Sequence, residues 1–213
     1  IKDLLAALAE VEFGPARVLI LTGAGKAFCS GMDLEDLKAV GAQSPEEHLH
    51  DSRRMAGLYR NIWSFSKPTI AAVNGPAIAG GCGIATLCDF TISAPDATFG
   101  YPEVRIGFIP AIVSVFLRRQ IGDKNARDLL LTGRIIEAAE SQRVGLVTRV
   151  VPSDKLLSET QTLARTLLAC SPASLFRTKK LLCNLAAPDL DRELALAVTE
   201  GAQIRSTPDF REG

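Results

Sequence analysis

The chain alternates between short apolar runs and longer segments in which apolar residues recur every three or four positions. The opening IKDLLAALAE has the spacing of a short amphipathic helix, and Arg17–Thr22 is an apolar strand stopped by Gly23-Ala24-Gly25. Asp33 to Lys38 predicts a helix start with acidic residues in its first turn. Pro45 opens a longer helix whose Met55, Leu58, Tyr59, Ile62 and Trp63 share one face. Thr69–Val73 predicts a buried strand, followed by an Asn74-Gly75 turn and a Gly-rich passage that runs into a helix through Leu87. Asp89–Ser93 reads as a further buried strand and Thr98–Gly100 as a short one. The pattern then turns helical over 110–120, 123–132 and 137–143, gives one strand at 145–151, and returns to helices over 153–170, 172–186 and 189–205. Strands alternating with helices, then a helical tail, predict an α/β fold.

Composition narrows the functional classes. With 213 residues, 47% hydrophobic and 23% charged, the chain is globular and long enough for a substantial core. Its 24 basic and 24 acidic residues cancel, so there is no net basic excess of the kind that binds nucleic acid. Residues 68–88 are uncharged, but Asn74, Pro76 and several glycines interrupt them; they read as buried core, not a membrane span. The five cysteines, odd in number and without C-x-x-C spacing, read as reduced thiols in a cytoplasmic setting, or the mitochondrial matrix in a eukaryote. His48 and His50, two apart on a helix, point about 200° from each other and read as a solvated face. No His, Cys and carboxylate cluster has metal-ligand spacing, and two histidines leave acid–base work to carboxylates.

Neither Gly-containing turn fits a nucleotide motif. Ile20 and Ala27 occupy the first-Gly and Ser/Thr positions of a P-loop, and Gly81-Cys82-Gly83 lacks the third glycine of a dinucleotide fingerprint. Both loops instead place small residues at the start of a helix: 27–34 and 77–83. Free N–H groups there can hold a developing oxyanion, and glycine lets a ligand approach closely; two tight strand–helix turns account for the same residues equally well.

The segments KAFCSGMDL (26–34), KPTIAAVNGPAIAGGCGIATLCDFTISAPDATFGYPEVRIGFIPA (67–111) and DLLLTGRIIEAAESQRVGLVTRVV (128–151) resemble the enoyl-CoA hydratase/isomerase (crotonase) superfamily. The resemblance runs over essentially the whole chain. It implies a spiral of β-β-α units over 1–151 and a helical C-terminal trimerisation region over 152–213, as one continuous domain assembling into trimers or hexamers. Family domains are longer, so strands before Ile1 and a helix after Gly213 are expected. The N–H groups of Met32 and Gly80 would hold an acyl-CoA thioester oxygen. Ala27, Ser30, Met32, Asp33, Leu34, Glu35, Gly80 and Gly83 would border the substrate, and Glu103 would be the catalytic carboxylate. Coenzyme A is then part of the substrate, and no separate cofactor or metal is implied.

The chain departs from the family's hydratases at three places. The second catalytic glutamate is replaced by Gly83; Glu35 stands where a lysine is common; and Ile109–Ser114 replaces a Gly-rich run, which should reshape the acyl tunnel. Gly83 can be read as room for a branched acyl chain, with Glu103 adding water to a short or branched 2-enoyl-CoA alone. The alternatives are an isomerase that moves a 3,4 double bond with one carboxylate, and a catalytically weak acyl-CoA-binding protein. Bland readings stand beside these: Glu103 paired to Arg105, Asp89 a strand-end acceptor, Asp33 a helix-start carboxylate, and Cys29, Cys82 and Cys88 packing residues.

Overall fold

The computed structural model describes residues 1–33, 40 and 43–212. Of the expected helix start at 33–38, all but Asp33, including Leu34 and Glu35, lies outside the described residues. Among the described residues, seven strands form two sheets. The first is all parallel, in the order β1 (Leu19–Thr22), β2 (Thr69–Val73), β4 (Phe90–Ser93), β7 (Arg149–Val150). The second holds β3 (Ala77–Ile78), β5 (Thr98–Gly100) and β6 (Ile135–Glu137), the last pair antiparallel.

The chain visits the two sheets in turn. β2 and β3 are followed by helix α3 (Gly80–Leu87), and β4 and β5 by a 3-10 turn at Pro102–Ile106 and helix α4 (Ala111–Thr132). Each unit lays its first strand parallel beside the first strand of the preceding unit, Ile70 opposite Phe90, and its second beside the second, Ala77 opposite Phe99. The earliest unit leaves one trace in the second sheet, a parallel bridge from Cys29 to Ala77. This is the expected β-β-α spiral.

β2 is buried at all five positions because its two faces are covered by different layers. Ala71 and Val73 join the main core with helix α2 (Pro45–Trp63) and α4, while Ile70 and Ala72 pack against helix α6 (Leu156–Leu168). Helix α1 (Lys2–Phe13) adds Leu8 to the main core. Helix α7 (Pro172–Gln203) is about 48 Å long and lies along α2 and α4. Its Lys179 is buried, donating to Asp89 Oδ2 at 2.6 Å and to the Lys67 carbonyl at 2.9 Å. Asp89 also accepts from the Thr69 N–H and hydroxyl at 2.7 and 2.9 Å, as a strand-end acceptor should.

Several elements differ from the pattern-based expectation. The strand expected over 145–151 shrinks to β7, because Gly145 caps helix α5 (Ala138–Val144) in the left-handed region and Ser141 O takes the Leu146 and Val147 N–H groups. The helices expected at 172–186 and 189–205 are one, running through Pro188. The break expected near 121 is real: Gly122 has φ 76° and ψ 164° inside α4. β3 and β6, two and three residues long, carry no readable period and owe their pairing to β5. His48 is not on a solvated face. It is 2% exposed with Nε2 2.8 Å from the Val40 carbonyl, whereas His50 is exposed.

Candidate active site

The loop after β1 and the turn between β3 and α3 are packed backbone against backbone. Asn74 Oδ1 accepts from the Gly23 N–H at 3.1 Å, and its Nδ2 donates to the Gly25 carbonyl at 2.9 Å. The Pro76 carbonyl accepts from both Phe28 and Cys29 N–H at 3.1 Å, and Ile78 N–H donates to Cys29 O at 2.9 Å. A Cβ on Gly75 would lie 2.0 Å from Lys26 O, and one on Gly81 2.1 Å from Cys29 O. Only glycine permits this approach.

The same packing brings the two candidate oxyanion donors together. Gly31 sits at φ 94°, and a Cβ there would be 3.4 Å from Ala79 Cβ, so the residue before Met32 packs against the residue before Gly80. Ser30, Gly31, Met32 and Asp33 are exposed on this rim, with Ala27 half-buried behind them. Ala79 takes φ 51°, the one non-glycine positive φ among the described residues, and supplies no side-chain cap to α3. First-turn N–H groups of a helix have no partner within it, so those of α3 stay available to an anionic oxygen.

Glu103 lies near enough to this place for its charge to act on Tyr59 and Cys82. The Ala79 N–H donates to Gly100 O at 2.9 Å, which ties the oxyanion turn to the strand leading into Tyr101-Pro102-Glu103. Pro102 opens the 3-10 turn and Gly107, at φ 67°, closes it with Gly107 and Phe108 N–H on Glu103 O. Helix α8 (Pro208–Glu212) backs that turn: a Cβ on Gly107 would lie 2.3 Å from Asp209 O, and Phe210 packs on Phe108 at 5.5 Å between ring centroids.

The carboxyl of Glu103 is largely buried, and its Oε2 accepts no hydrogen bond from any described residue. Burial disfavours the charged form and pushes its pKa from 4.5 up to about 7. No ion pair with Arg105 forms. Burial likewise holds the Cys82 and Cys88 thiols up to about 12, so both are inert packing groups; Cys29 is only half-buried.

Gly83 does not leave open space. A Cβ there would lie 2.1 Å from the Tyr59 hydroxyl oxygen and 2.6 Å from its Cζ. The room expected for a branched acyl chain is filled by a tyrosine from α2. Tyr59 reads in sequence as one more member of an apolar stripe; the only sign of another role is a hydroxyl in that stripe. In the bulky run after Pro110, Ile112 and Val113 are buried in the main core.

Among the described residues no group of three His, Cys, Asp or Glu side chains could hold a metal, and no helix is long and apolar enough to cross a membrane. An apolar groove of about 340 Å³ between Leu87–Phe90 and α7 contains none of the candidate residues.

The family description enoyl-CoA hydratase/isomerase matches residues 1–213. The chain belongs to this family. A Thermus thermophilus relative is 44% identical over 212 residues, covering 99% of this chain and 84% of its own. The crotonyl-CoA hydratase of Syntrophomonas wolfei is 35% identical over 216 residues, covering all of this chain and 81% of the relative. A crystal structure of an enoyl-CoA hydratase/isomerase from Xanthobacter autotrophicus Py2 superposes with a TM-score of 0.91 at 32% identity, covering 98% of this chain and 79% of that one. The crotonase fold is thereby shown.

Proposed function

We propose that the protein adds water across the 2,3 double bond of a short enoyl-CoA thioester. The observation that carries this reading is the position and state of Glu103. It is a largely buried carboxyl suited to exchange protons near pH 7, tied through the Gly100 carbonyl to the Ala79–Gly80 turn, against which Gly31 packs. In the proposed reaction the Met32 and Gly80 N–H groups donate to the thioester oxygen. The ionised Glu103 takes a proton from water as the water oxygen bonds to C3, and the π electrons move to the thioester oxygen as an enolate. Protonated Glu103 then returns that proton to C2 as the carbonyl re-forms. One donor to the oxyanion supplies about 3 kcal/mol, or two orders of magnitude in rate.

The test is turnover of crotonyl-CoA by the wild type and Glu103→Gln. Undiminished turnover in the variant rules out the proposed role of Glu103.

A second reading has its own support. With Tyr59 occupying the space beside Gly83, Glu103 would act alone, and moving a double bond needs only one carboxylate: a proton leaves C2 and returns at C4. Product formed in ¹⁸O-water separates the two, since hydration incorporates the label and isomerisation does not. The third reading, an acyl-CoA-binding protein, predicts tight thioester binding with no product. We further propose that the chain acts as a homotrimer or a pair of trimers; Phe176, Leu181, Leu182 and Leu185 give α7 an exposed apolar surface suited to it.

A further inference from the structure

We propose that Tyr59 is a positioning residue that takes the room of the second carboxylate and holds the oxyanion turn from beneath, so that Gly83 and Tyr59 form one interdependent unit. The proposal rests on the acyl-CoA reading of the site, which it deepens.

Three observations place it. The Tyr59 hydroxyl donates to the Gly80 carbonyl at 3.1 Å, fixing the peptide that follows the candidate donor residue. The ring is 3% exposed and meets Phe116 edge to face, with centroids 6.4 Å apart at 70°, so it has nowhere to retreat. A Cβ at Gly83 would meet the hydroxyl at 2.1 Å, Cζ at 2.6 Å and Cε2 at 3.0 Å, all on that confined ring, whereas one at Gly80 would clear the hydroxyl by 3.7 Å. Any side chain at position 83 therefore competes with Tyr59 for the same volume.

The phenol is suited to this task. Burial first, and the nearby Glu103 charge second, hold its pKa far above the usual range, so it stays a neutral O–H donor at every working pH. It is also a donor that brings no charge to set against that of Glu103. A glutamate at position 83 would place a like charge there and alter that balance.

The test is a mutant cycle read by thermal unfolding, with kinetics on crotonyl-CoA alongside. Gly83→Ala alone should lower Tm by about 5 °C or more, the effect of overpacking a confined site. In a Tyr59→Leu background, which removes the hydroxyl and Cζ, the same change should be neutral or raise Tm. Equal costs in the two backgrounds would overturn the shared-volume claim.

Tyr59→Phe keeps the ring and removes only the hydroxyl. It should lower kcat roughly 3- to 10-fold with KM within about twofold, as expected for losing one bond that orients the turn. An unchanged kcat would overturn the positioning role. Should Tyr59→Leu not fold, this arm still decides that role. Should the wild type turn over no enoyl-CoA, the assignment of the reaction fails while the unfolding cycle still decides the pairing of Tyr59 with Gly83.

Discussion

Replacing Glu103 by Gln should make the folded chain more stable at alkaline pH while abolishing most of its activity. The carboxyl has a pKa of about 7 in the folded state against 4.5 when solvated, because burial penalises its charged form. A raised carboxyl pKa means that the folded state binds the proton more tightly than the unfolded state does. Stability is therefore fully present below about pH 4.5 and is lost as pH rises towards 7. The gap between the two values corresponds to about 3 kcal/mol, all of it lost above pH 8. Gln has no charge to bury, so the variant escapes the loss.

Urea unfolding at two pH values reads this directly. Glu103→Gln should exceed the wild type by about 3 kcal/mol at pH 8.5, or about 6–12 °C in Tm, and by under about 1 kcal/mol at pH 5. Turnover should fall by roughly 10²–10⁴ if the carboxylate moves the proton. The same stability difference at both pH values would refute the reasoning. It would mean that Glu103 ionises in the folded chain as easily as in water.

The remaining predictions concern the frame around the site. Lys179→Met should destabilise by about 2–4 kcal/mol by leaving Asp89 without its cation, and Asp89→Asn in the same chain should recover part of that in denaturant unfolding. Ala79→Gly should be neutral or stabilise by up to about 1 kcal/mol, since it relieves the positive φ, while Ala79→Val should lose more than about 2 kcal/mol. Gly81→Ala should lower both Tm and turnover, because its Cβ would push Cys29 O away and part the two loops that bring Met32 to Gly80. Arg118→Ala should change stability by less than about 0.5 kcal/mol, as its partner Asp123 is as exposed as itself.

Much of this arrangement is legible in the chain alone. The buried run Thr69–Val73, the helix starting at Pro45, the break near Gly122 and the family match over 67–111 all follow from local pattern, because each is set by residues close in sequence. Local pattern also gives an α/β core and Asp89 as a structural acceptor, whereas the spiral and Glu103 as the candidate acid–base group come from what the family resemblance implies. Sequence went astray where a long-range contact overrides local character. His48 looks like half of a polar face, yet Val40 and the surrounding core bury it. Gly145 to Val147 has strand composition, yet a helix cap claims its N–H groups.

Gly83 marks the boundary between the two kinds of information. The sequence by itself determines that position 83 is a glycine and that position 103 is a glutamate, since those are matters of residue type. What fills the missing carboxylate's place is a matter of volume, and Tyr59 lies 24 residues away on another helix. Only the packing of α2 against α3 puts that hydroxyl beneath Gly80 and turns an apparent vacancy into an occupied site. Likewise, sequence names Glu103, but desolvation by the surrounding fold raises its pKa to about 7. Residue types are local, whereas volume and dielectric belong to the assembled chain.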